Sequence, residues 1–284
     1  FGGALVDHQT WVVAGDGCLM EGINHEAIGL AGHLGLGRLN VLWDDNRITI
    51  DGATDLSSSE DIKARYIATG WHVTECDGHD FADIERALQE AKADPRPSLV
   101  ACRTLIGKGA PNKQGGHDVH GAPLGADEIA AARAFLGWPH APFEIPEAVH
   151  LAWGRVARRG SDAHRAWRSV LATSPHRAAF ERQQARDPAP LAGAMAAHKA
   201  QLLADRPKIA TRKASELALN VVNVALPFTI GGSADLTGSN LTRSRGQKSV
   251  TRDDFSGSYV HYGIREHGMA AAMNGMALHG GVRP

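Results

Sequence analysis

Apolar and polar positions along this chain switch between two periods. WVVA, residues 11–14, is a short continuous apolar run, the pattern of a strand buried in a parallel sheet. From Glu21 onward Ile23, Ala27, Leu30, Ala31 and Leu34 recur at spacings of three and four, which predicts one face of a helix ended by Gly35 and Gly37. LNVLW, residues 39–43, is the next strand. Ser57 with Glu60 forms a capping-box pattern ahead of a helix over 62–69. HVTEC, residues 72–76, is a third strand, and Asp80 opens a helix carrying Ile84, Ala87, Leu88 and Ala91. Asp94-Pro95-Arg96-Pro97 breaks that helix before the strand SLVACRTLI, residues 98–106.

Strand and helix in alternation predict an α/β fold, a parallel sheet flanked by helices on both faces. Ligands of such sheets bind beyond the carboxyl ends of the strands. Asp16, Asp44, Asp45 and Asn46 fall there, and the glycine-rich GKGAPNKQGGHDVHGAPLG, residues 107–125, follows the last strand at the same edge. From about Trp138 the pattern changes: Pro139, Pro142 and Pro146 precede Ala/Arg/His-rich helical sequence without strands. A second strand pattern begins in ALPFTIGGSADLTGSN, residues 225–240, and a helix is predicted from about Arg265. The organisation expected is therefore two incomplete α/β domains, 1–138 and 206–284, joined by a proline-rich, then helical linker over 139–205.

Composition narrows the class. The 284 residues are 43% hydrophobic and 21% charged, as in ordinary globular proteins. Lys+Arg number 30 against 31 Asp+Glu, so no global charge points to nucleic acid or an anionic membrane. No apolar stretch approaches a membrane span, and no signal peptide is visible. Cys18, Cys76 and Cys102 are odd in number and widely spaced, which fits a reducing, cytoplasmic setting. Glycine, 32 residues or about 11%, exceeds the usual ~7% and clusters beside polar residues, as backbone approaching a ligand would. The chain opens at Phe1 in mid-pattern and stops at Pro284 after a helix-like run, so a piece of something longer is expected.

The chemistry centres on GDGCLMEG, residues 15–22. Asp16 and Asn46 are one strand–helix–strand unit apart, and successive parallel strands bring their carboxyl ends side by side. One carboxylate, one amide oxygen and a backbone carbonyl form an incomplete shell of hard oxygen ligands, which suits magnesium completed by phosphate oxygens and water. Gly15 and Gly17 leave room for a diphosphate to approach the backbone. The plain alternative is that Asp16 caps the following helix and Asn46 serves a turn. His117 and His120 lie three apart in the glycine-rich loop without zinc-type partners at ligand spacing, and can equally be polar loop residues. Met20 breaks the dinucleotide fingerprint, GKGAPNK lacks phosphate-loop spacing, and nothing suggests a Ser/His/Asp hydrolase.

GDGCLMEGINHEAIGLAGHLGLGRLNVLWDDNRITIDG resembles the thiamin-diphosphate motif in the wording of the transketolase family. GAPNKQGGHDVHGAPLG, ATRKAS, GGSADLTGSNLT and YGIREHGMAAAMNG agree with that family in order, over nearly the whole chain. The resemblance implies a thiamin-diphosphate-binding fold and transfer of a two-carbon ketol unit from a ketose phosphate to an aldose phosphate. It implies Mg2+, with Ca2+ or Mn2+ as substitutes, held by Asp16, Asn46 and the Ile48 carbonyl, and Gly17 against the diphosphate. His120 would reach diphosphate and substrate, with His117 ranked behind it. Arg212 and Ser239 would grip the sugar phosphate and Asp235 a substrate hydroxyl; alone, Arg212 is one more surface arginine. Glu266 would protonate the far ring nitrogen of the aminopyrimidine, from within a buried site and across the interface of a homodimer, and Glu21 would belong to a carboxylate network linking the two sites. Dihydroxyacetone synthase and a deoxyxylulose-phosphate synthase share this chemistry. A non-catalytic piece that binds cofactor or a partner chain is the reading of another class, because family segments expected before Phe1 and after Pro284 are missing, which predicts little activity from this chain alone.

Overall fold

The computed structural model describes residues 1, 3 and 5–284. It divides into two compact units, residues 2–170 and residues 171–284 together with Phe1.

In the first unit, β1 (Thr10–Gly15), α1 (Asp16–Met20), α2 (Gly22–Leu34), β2 (Leu39–Asp45), α3 (Ile62–Ala68), β3 (His72–Asp77), α4 (Phe81–Ala93) and β4 (Ser98–Arg103) follow one another. The strands form a four-stranded parallel sheet in the order β1-β2-β4-β3. Side chains alternate across a pleated sheet, so the residues of each strand divide between two faces. Val41 and Trp43 of β2 and Leu99 and Ala101 of β4 pack with Ile28, Ala31, Ile62, Tyr66 and Trp71 of the α2 and α3 side. Val100 and Cys76 pack with Ala87 and Ala91 of α4. Helices therefore cover both faces of the inner strands β2 and β4, as the alternation predicts. Polar tips inside this core are partnered: Trp71 Nε1 donates to the Ile28 carbonyl at 2.9 Å and Tyr66 Oη to Asn24 Oδ1 at 2.9 Å.

The helix ends have identifiable causes. Gly35 ends α2 in the left-handed region (φ 63°), and its N–H reaches the Ala31 and Gly32 carbonyls. Asp80 caps α4 through the N–H groups of Ala82 and Asp83. Two expectations are corrected. Ser57 and Glu60 do not cap α3: Ser57 closes a 3-10 turn over Thr54–Leu56, and Asp61, directly before the helix, accepts from Ala64 N at 2.9 Å. WVVA is not a buried strand: β1 is an outer strand with β2 on one side, and only Ala14 of the run is buried while Val13 is 75% exposed.

Beyond β4 come α5 (Ala126–Phe135) and the long α6 (Glu147–Thr173), within which the division between units falls. The second unit holds α7 (Arg177–Ala185), α8 (Ala189–Asp205), α9 (Thr211–Ala225), β5 (Gly231–Ser233), α10 (Thr237–Asn240), β6 (Tyr259–His261) and α11 (Glu266–His279). β5 and β6 are parallel. Among the described residues no helix is long and apolar enough to cross a membrane.

Candidate cofactor and metal site

The register of β1 with β2 pairs Gly15 with Asp44, so the two strands end level and the segments after them meet. Asp16 is the first residue of α1 and only 8% exposed. It caps no helix. Its Oδ1 accepts from Trp43 Nε1 at 3.1 Å and its Oδ2 from the Arg47 N–H at 3.0 Å. Burial raises its pKa, the Trp43 hydrogen bond opposes that rise, and the nearby Asp45 and Asp44 carboxylates add to it. No lysine or arginine pairs with Asp16 among the described residues, because the Asp45 carboxylate takes the guanidinium groups of Arg47 and Arg103. A buried carboxylate beside two others, with no ion-pair partner of its own, offers oxygen donors to a cation.

Asn46 does serve a turn, the half of the plain alternative that holds. Its Oδ1 accepts from the Ile48 N–H at 2.9 Å and its Nδ2 donates to Asp44 Oδ2 at 3.2 Å. The Nδ2 contact fixes which end of the amide is oxygen, and that oxygen keeps a second lone pair. Arg47 between them sits in the left-handed region (φ 61°), which turns the chain back toward Asp16. Thr104 in turn donates to Asp44 Oδ1, tying this turn to the end of β4.

Gly17, Ile48, Thr49, Ile50, Asp51 and His120 line one open cavity of about 380 Å³. A Cβ added at Gly15 or Gly17 would meet nothing within 4 Å, so both point at open space that a ligand can fill. Thus Asp16, Gly17, Asn46, Ile48 and His120 gather at one edge of the sheet, and the donor set of carboxylate, amide oxygen and backbone fits a hard divalent cation and a diphosphate. His117 is exposed, with Asp118 3.5 Å away, and Glu21 is exposed between α1 and α2. Among the described residues no group of three or more His, Cys, Asp or Glu side chains gathers to hold a metal.

The remaining residues lie in the second unit and are all exposed. Arg212 is in the first turn of α9. Asp235 follows β5 in the left-handed region (φ 62°), in a turn where Leu236 N donates to Ser233 Oγ at 3.1 Å, and Ser239 is in α10. Glu266 starts α11 after β6, so Asp235 and Glu266 follow the carboxyl ends of two parallel strands. Glu266 is exposed at the start of α11 in this single chain.

Two supporting residues escaped sequence reasoning. Trp43 read as a strand packing residue. Glu128, only 7% exposed, accepts from Asn112 N at 3.0 Å and Asn112 Nδ2 at 2.9 Å, which pins the glycine-rich loop to α5 and lowers its pKa. The only available signal was an acid in the first turn of a helix, which ordinarily serves the helix dipole.

Family models agree with this geometry. Residues 2–190 match the transketolase thiamine diphosphate binding domain and residues 207–284 the transketolase pyrimidine binding domain. A transketolase of Cereibacter sphaeroides is 68% identical over 284 residues, all of this chain and 43% of the relative; one of Sinorhizobium medicae is 53% identical, over 41% of its length. The chain thus spans less than half of the curated relatives it matches. Among solved structures, Campylobacter jejuni transketolase superimposes with a TM-score of 0.89 at 34% identity over 99% of this chain and 43% of that one. Pichia stipitis transketolase in complex with sedoheptulose-7-phosphate gives 0.85 at 38% identity, covering 96% and 42%. On the domain matches and the full-length identity, this chain belongs to the transketolase family.

Proposed function

We propose that this chain is the portion of a transketolase that binds thiamin diphosphate through a divalent cation and moves a two-carbon ketol unit from a ketose phosphate to an aldose phosphate. The observation that carries the reading is Asp16: buried, without an ion-pair partner, and directly before Gly17, which lines an open groove with Ile48 and His120. Asp16, Asn46 Oδ1 and the Ile48 carbonyl would hold the cation, magnesium first and calcium or manganese as substitutes. The Gly17 backbone would meet the diphosphate. When bound, the cofactor supplies a carbanion nucleophile.

This chain's residues bind, orient and supply protons around it. His120, with His117 behind it, reaches from the glycine-rich loop toward diphosphate and substrate. Arg212 forks two donors onto a sugar phosphate and Ser239 adds a hydroxyl. Asp235 accepts from a substrate hydroxyl. Glu266 donates a proton at the aminopyrimidine ring, and its exposure here suits a glutamate that serves the site of a second subunit in a homodimer. Glu21 would link the two sites of such a dimer. We assign residues 1–138 to the diphosphate domain, 139–205 to a linker and 206–284 to the pyrimidine domain, in a cytoplasmic enzyme. The sugar phosphate in the Pichia stipitis complex supports the substrate class.

The test uses this chain alone and a graft in which it replaces the matching 43% of the Cereibacter sphaeroides transketolase. A coupled assay follows transfer from xylulose 5-phosphate to ribose 5-phosphate. The graft is expected to be active and Asp16→Ala to abolish magnesium-dependent cofactor binding. Unchanged binding by Asp16→Ala overturns the metal reading, and a graft that accepts only formaldehyde points to dihydroxyacetone synthase.

A further inference from the structure

A carboxylate that ligates a cation must present its lone pairs in one direction, and rotation about Cβ–Cγ is the freedom that has to be removed. In this chain both Asp16 oxygens are held, Oδ2 by the Arg47 N–H at 3.0 Å and Oδ1 by Trp43 Nε1 at 3.1 Å. The first donor is backbone and every residue type offers it. The second is a side chain, the Trp43 indole of β2. Trp43 is 7% exposed and stands in register opposite Ala14, two residues before Asp16. The indole's only polar atom, Nε1, meets the carboxylate. That contact is buried, which strengthens a hydrogen bond to a charged acceptor and removes water as a competing donor. A carboxylate offers about four lone-pair sites, so two donors fix its plane and leave two sites for a cation.

We propose that Trp43 is a positioning residue for the cation site: its indole N–H locks the Asp16 carboxylate in the orientation that receives a divalent metal. This rests on the metal reading of Asp16 given above. Outer partners that orient a metal ligand typically contribute 10- to 100-fold in affinity. The packing role of Trp43 is separate, because it belongs to the core cluster with Ile28, Val41 and Ile62 whatever its N–H does.

The graft supplies the experiment, with magnesium and thiamin diphosphate as the probes. Trp43→Phe keeps an aromatic ring in the core and removes the donor. Its magnesium concentration at half-maximal cofactor binding, read by titration calorimetry, is expected to rise about 10-fold and the binding to recover fully at excess magnesium. A purely structural role would lower the thermal midpoint and leave the magnesium midpoint where it was. Should Phe leave too large a hole for folding, benzothienylalanine at position 43 keeps both fused rings and exchanges only the N–H for sulphur. In 5-fluorotryptophan-labelled protein, the fluorine resonance missing from the position-43 variant is expected to shift when magnesium is added. An unmoved magnesium midpoint with an unmoved resonance overturns the proposal and leaves the metal reading intact. Cofactor binding that is independent of divalent metal before any substitution overturns the metal reading, and the proposal with it.

Discussion

The two units both carry a parallel sheet, but of very different depth. In residues 2–170 the inner strands β2 and β4 of a four-stranded sheet are covered on both faces, and Trp71, Tyr66, Leu99 and Val100 are essentially removed from solvent. In residues 171–284 the sheet is two strands of three residues, and helices α7 to α11 bury no residue; Val224 and Leu278 are 79% and 89% exposed. Leu226, Tyr259, Val260 and Tyr262 form a small buried set there, braced by polar clamps. Tyr259 Oη bonds Thr237 and Thr242 at 2.8 and 2.7 Å, and the Gln247 amide bridges Ser244 N and the Ser258 carbonyl at 2.9 and 3.0 Å. The difference decides how site residues are held. Asp16 and Asn46 are fixed by strand register and packing, whereas Asp235, Ser239 and Glu266 ride on turns and helix starts whose side chains face solvent.

If packing depth is what separates the units, the sharpest way to break the comparison is at Gly32. It lies in α2, where the helix passes so close to the turn after α3 that a Cβ would overlap the Thr69 carbonyl oxygen, with its carbon at 2.9 Å and Trp71 Cδ1 at 3.3 Å. The obstacle is backbone and a wedged indole, neither able to swing away. Gly32→Ala is expected to cost about 3 kcal/mol in urea denaturation, the upper end for overpacking, in spite of alanine's better helix propensity. A change below about 0.5 kcal/mol would mean that the first unit is no more tightly built than an ordinary surface.

A smaller effect tests the polar side of the same unit. Asp94 follows α4 and takes a two-pronged grip from Arg96, with Oδ1 to Nε at 2.9 Å and Oδ2 to Nη2 at 2.8 Å. The Arg96 hydrogen bond lowers its pKa from 3.8 to about 2. A carboxyl lowered in the folded state adds stability that is complete above pH 3.8 and is lost as pH falls through about 2. Asp94→Asn should therefore cost about 1 kcal/mol near pH 7 once the exposed Arg96 is screened by water, with the deficit shrinking below pH 4 until the two proteins converge near pH 2. A deficit independent of pH would assign the effect to shape and not to charge. Asp254 in the second unit, held down by Lys248 and Ser256, is open to water and screened, so its asparagine variant is expected to show little of this pH dependence.

How much of this was legible in the sequence follows from the range of each interaction. Gly35 and Asp80 were readable because a helix end is settled within a few residues of its cap. The strands of the first unit were readable as apolar runs, yet WVVA misled on burial, since a continuous run looks the same at the edge of a sheet as at its centre. Ser57 misled because a capping box presumes that its serine directly precedes the helix, and Asp61 stands closer. Asp16 and Asn46 were readable as a pair from strand spacing. The Trp43 donor was not, because nothing local distinguishes an indole that packs from one that also reaches a carboxylate 27 residues earlier. Arg212, Asp235, Ser239 and Glu266 came from resemblance, because a single polar residue on a turn or in the first turn of a helix carries no local mark of a binding role.

The mildest prediction has the opposite sign and comes from α8. Gly193 lies inside that helix and is exposed, and a Cβ there would meet nothing within 4 Å. With no neighbour to strike, alanine changes only the chain entropy and helix propensity, so Gly193→Ala should stabilise α8 by about 0.5–1 kcal/mol. Amide exchange of α8 reads this locally, free of the deeper unfolding of residues 2–170. One substitution type would then lower stability where a helix is wedged into a core and raise it where a helix has only solvent to meet. Slower exchange in α8 beside the Gly32→Ala loss would make packing depth, and not glycine itself, the variable that separates the two units. Faster exchange would show that the α8 face carries a contact as demanding as the one at Thr69, and the contrast between the units would collapse.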